Sequence, residues 1–169
     1  MLTTITIESP RQPGIGALLR QSAEYAQSLY PPESNFLLDV DDLELPGVTF
    51  YTARDESGLA LGIAALVDQG DGTAELKRMF VDPGARGRGV AGRLLARAEA
   101  DALAAGIRRI VLETGPLSDA ALSFYAQCGY REIAQFGQYV GEEFSVCFAK
   151  GLTLPDRPEA DVSRSTGTR

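Results

Sequence analysis

Residues 75–92, ELKRMFVDPGARGRGVAG, carry the reading that decides the fold. The first part is a strand-like run that ends at Asp82-Pro83, and Arg86-Gly87-Arg88-Gly89-Val90-Ala91 then opens a helix. A strand-to-helix turn of this kind gathers successive backbone N–H groups, the positive end of a helix and two arginines in one place. That arrangement suits a pyrophosphate.

Working outward, residues 73–81 read as the strand that feeds the turn. A helix follows over 90–105, with Ala91, Leu94, Leu95, Ala98 and Ala102 as its buried stripe and Gly106 as its stop. Residues 109–112 are short and apolar, a strand parallel to its predecessor if the helix is a crossover. Ser118-Asp119 is placed to cap a helix running through Cys128, with Ala121, Phe124, Tyr125 and Cys128 on one face. Residues 131–136 and 144–150 read as two more strands.

Upstream, residues 2–8 alternate as a strand does, and 14–29 repeat apolar groups at helical spacing until Pro31-Pro32 stops them. Residues 31–45 read as a loop with a short helix. Strands at 48–53 and 59–67 flank Asp55-Glu56-Ser57-Gly58, and Gln69-Gly70-Asp71-Gly72 makes a second turn. From residue 152 the chain is polar and non-periodic, which predicts one domain over 1–151 and a flexible tail over 152–169. Hairpin-linked strands followed by one β-α-β unit predict an α/β fold of mixed α+β type. Its mixed sheet carries helices on both faces and a cleft where the parallel strands splay.

Composition excludes several functions. The 169 residues contain no histidine, so no Ser-His-Asp triad, Cys-His pair or histidine metal site is available. Cys128 and Cys147 are too few for a disulfide framework or a cysteine zinc site, and no metal is expected. A net charge of −7 argues against nucleic acid as a partner and is compatible with a cationic amine. No run approaches the roughly 20 apolar residues of a membrane span, and no secretory signal is visible, so a cytoplasmic location is expected.

Two templates fit the turn. Gly87, Gly89 and Gly92 satisfy G-x-G-x-x-G, with Glu113 about 20 residues on, where a dinucleotide fold keeps its ribose-binding acid. Against that reading, residues 82–86 separate the strand from the glycines, and only one β-α-β unit is present. The second template is R/Q-x-x-G-x-G/A, met by Arg86, Gly89 and Ala91. Here the sequence resembles the acetyl-CoA binding motif of the GNAT superfamily of N-acetyltransferases. The resemblance extends over 48–150 and includes the V-D-P strand end and the later Phe124-Tyr125-Ala126-Gln127-Cys128-Gly129-Tyr130.

The resemblance implies a central, mostly antiparallel sheet of six to seven strands. It also implies acetyl transfer from acetyl-CoA to a primary amine of a small molecule or peptide, by direct attack in a ternary complex. A non-catalytic acyl-CoA sensor is the alternative within the same fold, and a homodimer is compatible with it. Arg86, Gly87, Arg88, Gly89, Val90 and Ala91 are implied to hold the pyrophosphate. Met79, Phe80 and Val81 would pair with the pantetheine arm, where a bulge would aim an N–H at the thioester carbonyl. Tyr125 is implied as general acid toward the departing sulfur, and Glu75 or Glu113 as general base, directly or through water. Ser118 stands where the family often has asparagine. The acceptor pocket is expected from Tyr30, Glu33, Asn35 and Tyr139. The acidic run Asp39, Asp41, Asp42 and Glu44, with Glu142 and Glu143, is expected at its mouth, suiting a cationic amine.

Overall fold

The computed structural model describes residues 2–153, so the expected tail lies, from residue 154 on, outside the described residues. Seven strands form one sheet: β1 Thr4–Ile7, β2 Val48–Arg54, β3 Ala60–Asp68, β4 Thr73–Val81, β5 Arg109–Thr114, β6 Arg131–Ile133 and β7 Val146–Gly151. Their spatial order is β1-β2-β3-β4-β5-β7-β6, and the β4–β5 pair alone is parallel. The mostly antiparallel sheet with one crossover is thus present.

The helices cover both faces. α1, Ile15–Leu29, buries Ile15, Leu18, Leu19 and Ser22, spaced by three and four residues as one helical face requires. With Leu43 from the short α2, Val40–Leu43, these residues pack on Phe50, Ile63, Ala65 and Phe80. On the opposite face α3, Val90–Ala104, packs Val90, Leu94, Leu95, Ala98 and Ala102 against Ala64, Leu66, Leu76, Ile110 and Leu112. α4, Asp119–Gln127, joins that side through Tyr125. β3 is covered from both sides, which explains its unbroken apolar run where a one-sided strand would alternate.

Two expectations change. Ala91 is only half-buried, because Val90 takes the first position of the buried stripe. The strand expected over 131–136 ends at Ile133. Beyond it, the Gln135 amide donates to the carbonyls of Glu142 and Ser145 at 2.6 and 2.8 Å and accepts from Gly141 N–H at 2.9 Å. A side chain thereby replaces the ladder and folds 134–145 into a loop around the 3₁₀ turn Gly137–Tyr139. At the other end, Leu152 is buried, and its N–H donates to Arg108 O at 2.8 Å. No helix among the described residues is long and apolar enough to cross a membrane.

Candidate active site

The cleft originates in strand register. β4 and β5 pair from Thr73–Arg109 to Leu76–Leu112 and then part, while β4 continues to Val81 and β5 to Thr114. Past Leu76 no described strand pairs with β4 on the β5 side, so that backbone edge is open. On its other side β4 carries a bulge. Ala65 pairs with Lys77 and Ile63 with Phe80, leaving Ala64 opposite both Arg78 and Met79. Arg78 adopts φ 55°, and it is the one non-glycine residue with positive φ among those described. That conformation costs about 1–2 kcal/mol. In return Lys77 and Phe80, which strict alternation would place on opposite faces, both reach the α1 side. The resulting cavity is about 210 Å³, and Met79, Phe80, Ser118, Glu113 and Tyr125 are among its walls.

Tyr125 enters from α4. It is buried at 7% exposure and touches the rings of Phe124 and Tyr130, and its hydroxyl makes no hydrogen bond among the described residues. Burial raises its phenol well above the ordinary value, with Cys128 and Glu113 adding to the shift. The group is therefore protonated at neutral pH and available as a donor. Ser118 occupies the N-cap position of α4, but its side chain makes no cap hydrogen bond; its Oγ lies 3.5 Å from Tyr25 Oη instead.

Across the gap lies a charged cluster. Tyr139 Oη donates to Glu75 Oε1 at 2.5 Å and accepts from Lys77 Nζ at 2.8 Å. Lys77 also donates to Phe36 O at 2.9 Å, and its Nζ is 3.7 Å from Glu75 Oε1. Tyr139, expected in the acceptor pocket, is 1% exposed and sits edge-on between Phe36 and Phe136. It forms part of the wall behind the cleft and holds Glu75 there. Glu75 does not line the cavity; Lys77 and Glu113 do. Burial raises the Glu113 pKa. The nearby Ser145 hydroxyl and Lys77 partly offset this shift, and Glu75 adds to it. Ser145 Oγ is close enough to favour the charged form, yet completes no hydrogen bond.

The acceptor side combines expected and unexpected residues. Tyr30 lines the cavity, accepts from Leu117 N–H at 3.0 Å and packs on Phe144. A Cβ on Gly115 would stand 1.9 Å from Tyr30 Oη, so this contact requires glycine. Asn35 lines the cavity and donates to Pro31 O at 3.3 Å. Glu33 is exposed and outside it. The expected acidic mouth does not form. Asp39 and Asp42 cap α2 reciprocally, while Asp41 and Glu44 pair with Arg11 at 2.5 and 2.9 Å. Glu142 and Glu143 also stand off the cavity. The charged side chains lining it are Lys77, Arg78 and Glu113.

The glycine-rich turn forms a second hollow of about 220 Å³ beyond Val81, bounded by Arg86, Gly87, Gly89, Val90 and Ala91. Gly87 and Gly89 have φ 78° and 75°, and nothing lies within 4 Å of where a Cβ would stand. Arg93 N–H to Gly89 O is the first bond of α3, so the preceding N–H groups have no helical acceptor. The loop thus presents the bare positive end of a 15-residue helix, a fitting cradle for a pyrophosphate. The Arg86 guanidinium lies over Phe80 and Tyr25 at 5.7 and 6.0 Å, and so belongs to the rim joining the two hollows. Arg88 is exposed and bounds neither hollow.

A sheet opened by a bulged strand beside a glycine-capped helix defines an acyltransferase architecture, and the comparisons agree. The chain belongs to the acetyltransferase (GNAT) family, whose model matches residues 15–130. It is 39% identical over 150 residues to an IAA acetyltransferase of Azospirillum brasilense, spanning 88% of this chain and 97% of that protein. A Klebsiella pneumoniae protein solved as an acyl-CoA N-acyltransferase superposes with a TM-score of 0.77 at 29% identity, over 90% of this chain and 99% of that one. The PaiA N-acetyltransferase of Thermoplasma acidophilum, solved in complex with coenzyme A, shares the fold at 17% identity with a TM-score of 0.70, over 89% of this chain and 99% of that one. The dinucleotide reading of Gly87, Gly89 and Gly92 falls, because the sheet has one parallel pair and no doubly wound half.

Proposed function

We propose that the protein transfers the acetyl group of acetyl-CoA to a primary amine of a small molecule or peptide, by direct attack within a ternary complex. The observation that carries this reading is the gap between β4 and β5, with Tyr125 on the α4 side, Glu113 on the α1 side and the α3 cradle at one end. Acetyl-CoA would supply the activated acyl group as a thioester. The N–H groups before Arg93 would bind its pyrophosphate, and the open edge of β4 would pair with the amides of its extended arm, as an added strand pairs with a sheet.

An amine arrives as an ammonium ion and must lose a proton before it attacks. Glu113 faces the cavity and has a raised pKa, which suits a base, whereas Glu75 is held behind Lys77 by Tyr139. The nitrogen bonds to the acyl carbon, the carbon–sulfur bond breaks, and the Tyr125 hydroxyl gives its proton to the sulfur. The second proton, which the nitrogen loses on becoming an amide, passes through water to the phenolate and restores Tyr125, while Glu113 releases the first to solvent. With base and acid on opposite sides of the gap, the entering and leaving groups need not cross.

Thiol release measured with acetyl-CoA and a set of primary amines tests this assignment. Tyr125→Phe should lower kcat by roughly 10²- to 10⁴-fold while acetyl-CoA affinity, measured by calorimetry, stays within about twofold. Unchanged turnover in this variant would remove Tyr125 from the chemistry. Acetyl-CoA binding without acyl transfer in the parent protein would favour a sensor.

A further inference from the structure

Among the charged side chains lining the cavity, Arg78 stands apart. Lys77 has Glu75 at 3.7 Å and Glu113 nearby. Arg78 has no carboxylate partner among the described residues. Its Nη1 and Nη2 each donate to a backbone carbonyl, of Leu38 at 2.9 Å and of Leu19 at 3.0 Å, and its Nε is buried with no partner. A guanidinium keeps its charge at any physiological pH and offers five N–H groups in a planar fork, of which carbonyls take two here. Burying such a charge without a counterion is unfavourable, and placing it by a positive-φ residue in a bulge adds strain. A residue serving only as a staple between α1 and residues 36–39 does not need the charge. The charge is explained if a ligand brings the missing anion. The acidic residues expected to attract a cationic acceptor are engaged elsewhere, which leaves this corner of the cavity positive.

We propose that Arg78 receives a carboxylate carried by the acceptor, so that the substrate is an amino acid or a similar amine bearing a carboxylate. Simple amines and polyamines would be poor acceptors. The inference rests on the acetyl-transfer reading above and adds the substrate class. The amine end lies toward Glu113 and the carboxylate end toward the bulge. The fork of Arg78, clamped by its two carbonyl bonds, is oriented before the ligand arrives.

Product-like ligands allow the test to proceed before the natural substrate is identified. The full chain, saturated with coenzyme A, is titrated calorimetrically with N-acetylated glycine, alanine, aspartate and phenylalanine, each beside its neutral carboxamide. At least one carboxylate should bind roughly 10- to 100-fold more tightly than its carboxamide. Arg78→Gln should erase that preference, and Arg78→Lys should retain only part of it. Equal binding of the two forms, tighter binding of carboxamides, binding of neither, or a preference that survives in Arg78→Gln would overturn the proposal. Should Arg78→Gln fail to fold, the carboxylate-to-carboxamide ratio of the parent protein decides alone. Failure of coenzyme A itself to bind would instead bring down the underlying acetyl-transfer reading.

Discussion

Glu113 illustrates how much of the site is set by single side chains and their surroundings. Its place at the end of a short strand marks it in the sequence as a candidate base. Its fitness depends on burial, on Glu75 and Lys77 from β4, and on Ser145 from the loop before β7. If Glu113 is the base, Glu113→Gln should lower kcat/KM by roughly 10²- to 10⁴-fold. The acidic limb of the parent's pH profile should lie above the ordinary glutamate value of 4.5. The sign for stability runs the other way. A carboxyl with a raised folded-state pKa favours folding in its protonated form, and that contribution is lost as pH rises through the raised value. Glu113→Gln should therefore unfold at higher urea than the parent at pH 7, and the difference should shrink as pH falls toward 4.5. A variant that is less stable at pH 7 and unchanged in activity would contradict both expectations. Tyr125 was legible because its motif fixes its position on a helix. Tyr139 was not, since nothing near it in sequence shows that Glu75 and Lys77 are its partners, more than 60 residues away.

At the scale of elements, the regular pieces were read well, and the loop that follows β6 was not. The bounds of α1, α3 and β4 follow from periodicity and from stops such as Pro31 and Gly106. β6 ended early because a Gln135 side chain competes with the ladder, and no pattern of apolar residues records that. The bulge leaves a faint trace: Lys77-Arg78 puts two charges in succession inside an alternating strand, one residue too many for its rhythm. The turn before α3 offers a sharper test. Gly89→Ala adds a side chain at φ 75°, costing about 1 kcal/mol of stability by urea denaturation. Placed where the cradle must meet its ligand, the same change should weaken acetyl-CoA binding about tenfold or more, beyond the stability loss. A variant that is destabilised but binds acetyl-CoA normally would separate the turn from the cofactor.

Across the whole molecule, the site is a consequence of topology. Two layers of helices bury both faces of the sheet, and the parallel pair parts beyond Leu76 and Leu112, at the end where β4 leads into α3. The fold class was legible because hairpin turns and one crossover leave few topologies open. The chemistry of the acceptor side was not, because the acidic residues Asp39, Asp41, Asp42 and Glu44 serve α2 and Arg11 instead of the cleft. Acetyl transfer to an amine is the claim on which the rest depends. The most direct measurement incubates the full chain with acetyl-CoA and an equimolar mixture of amino acids and simple amines, and quantifies free coenzyme A and N-acetylated products by mass spectrometry. The account expects one N-acetylated molecule per coenzyme A released, above the enzyme-free background. Release of coenzyme A with no N-acetylated product, or no release at all, would contradict it.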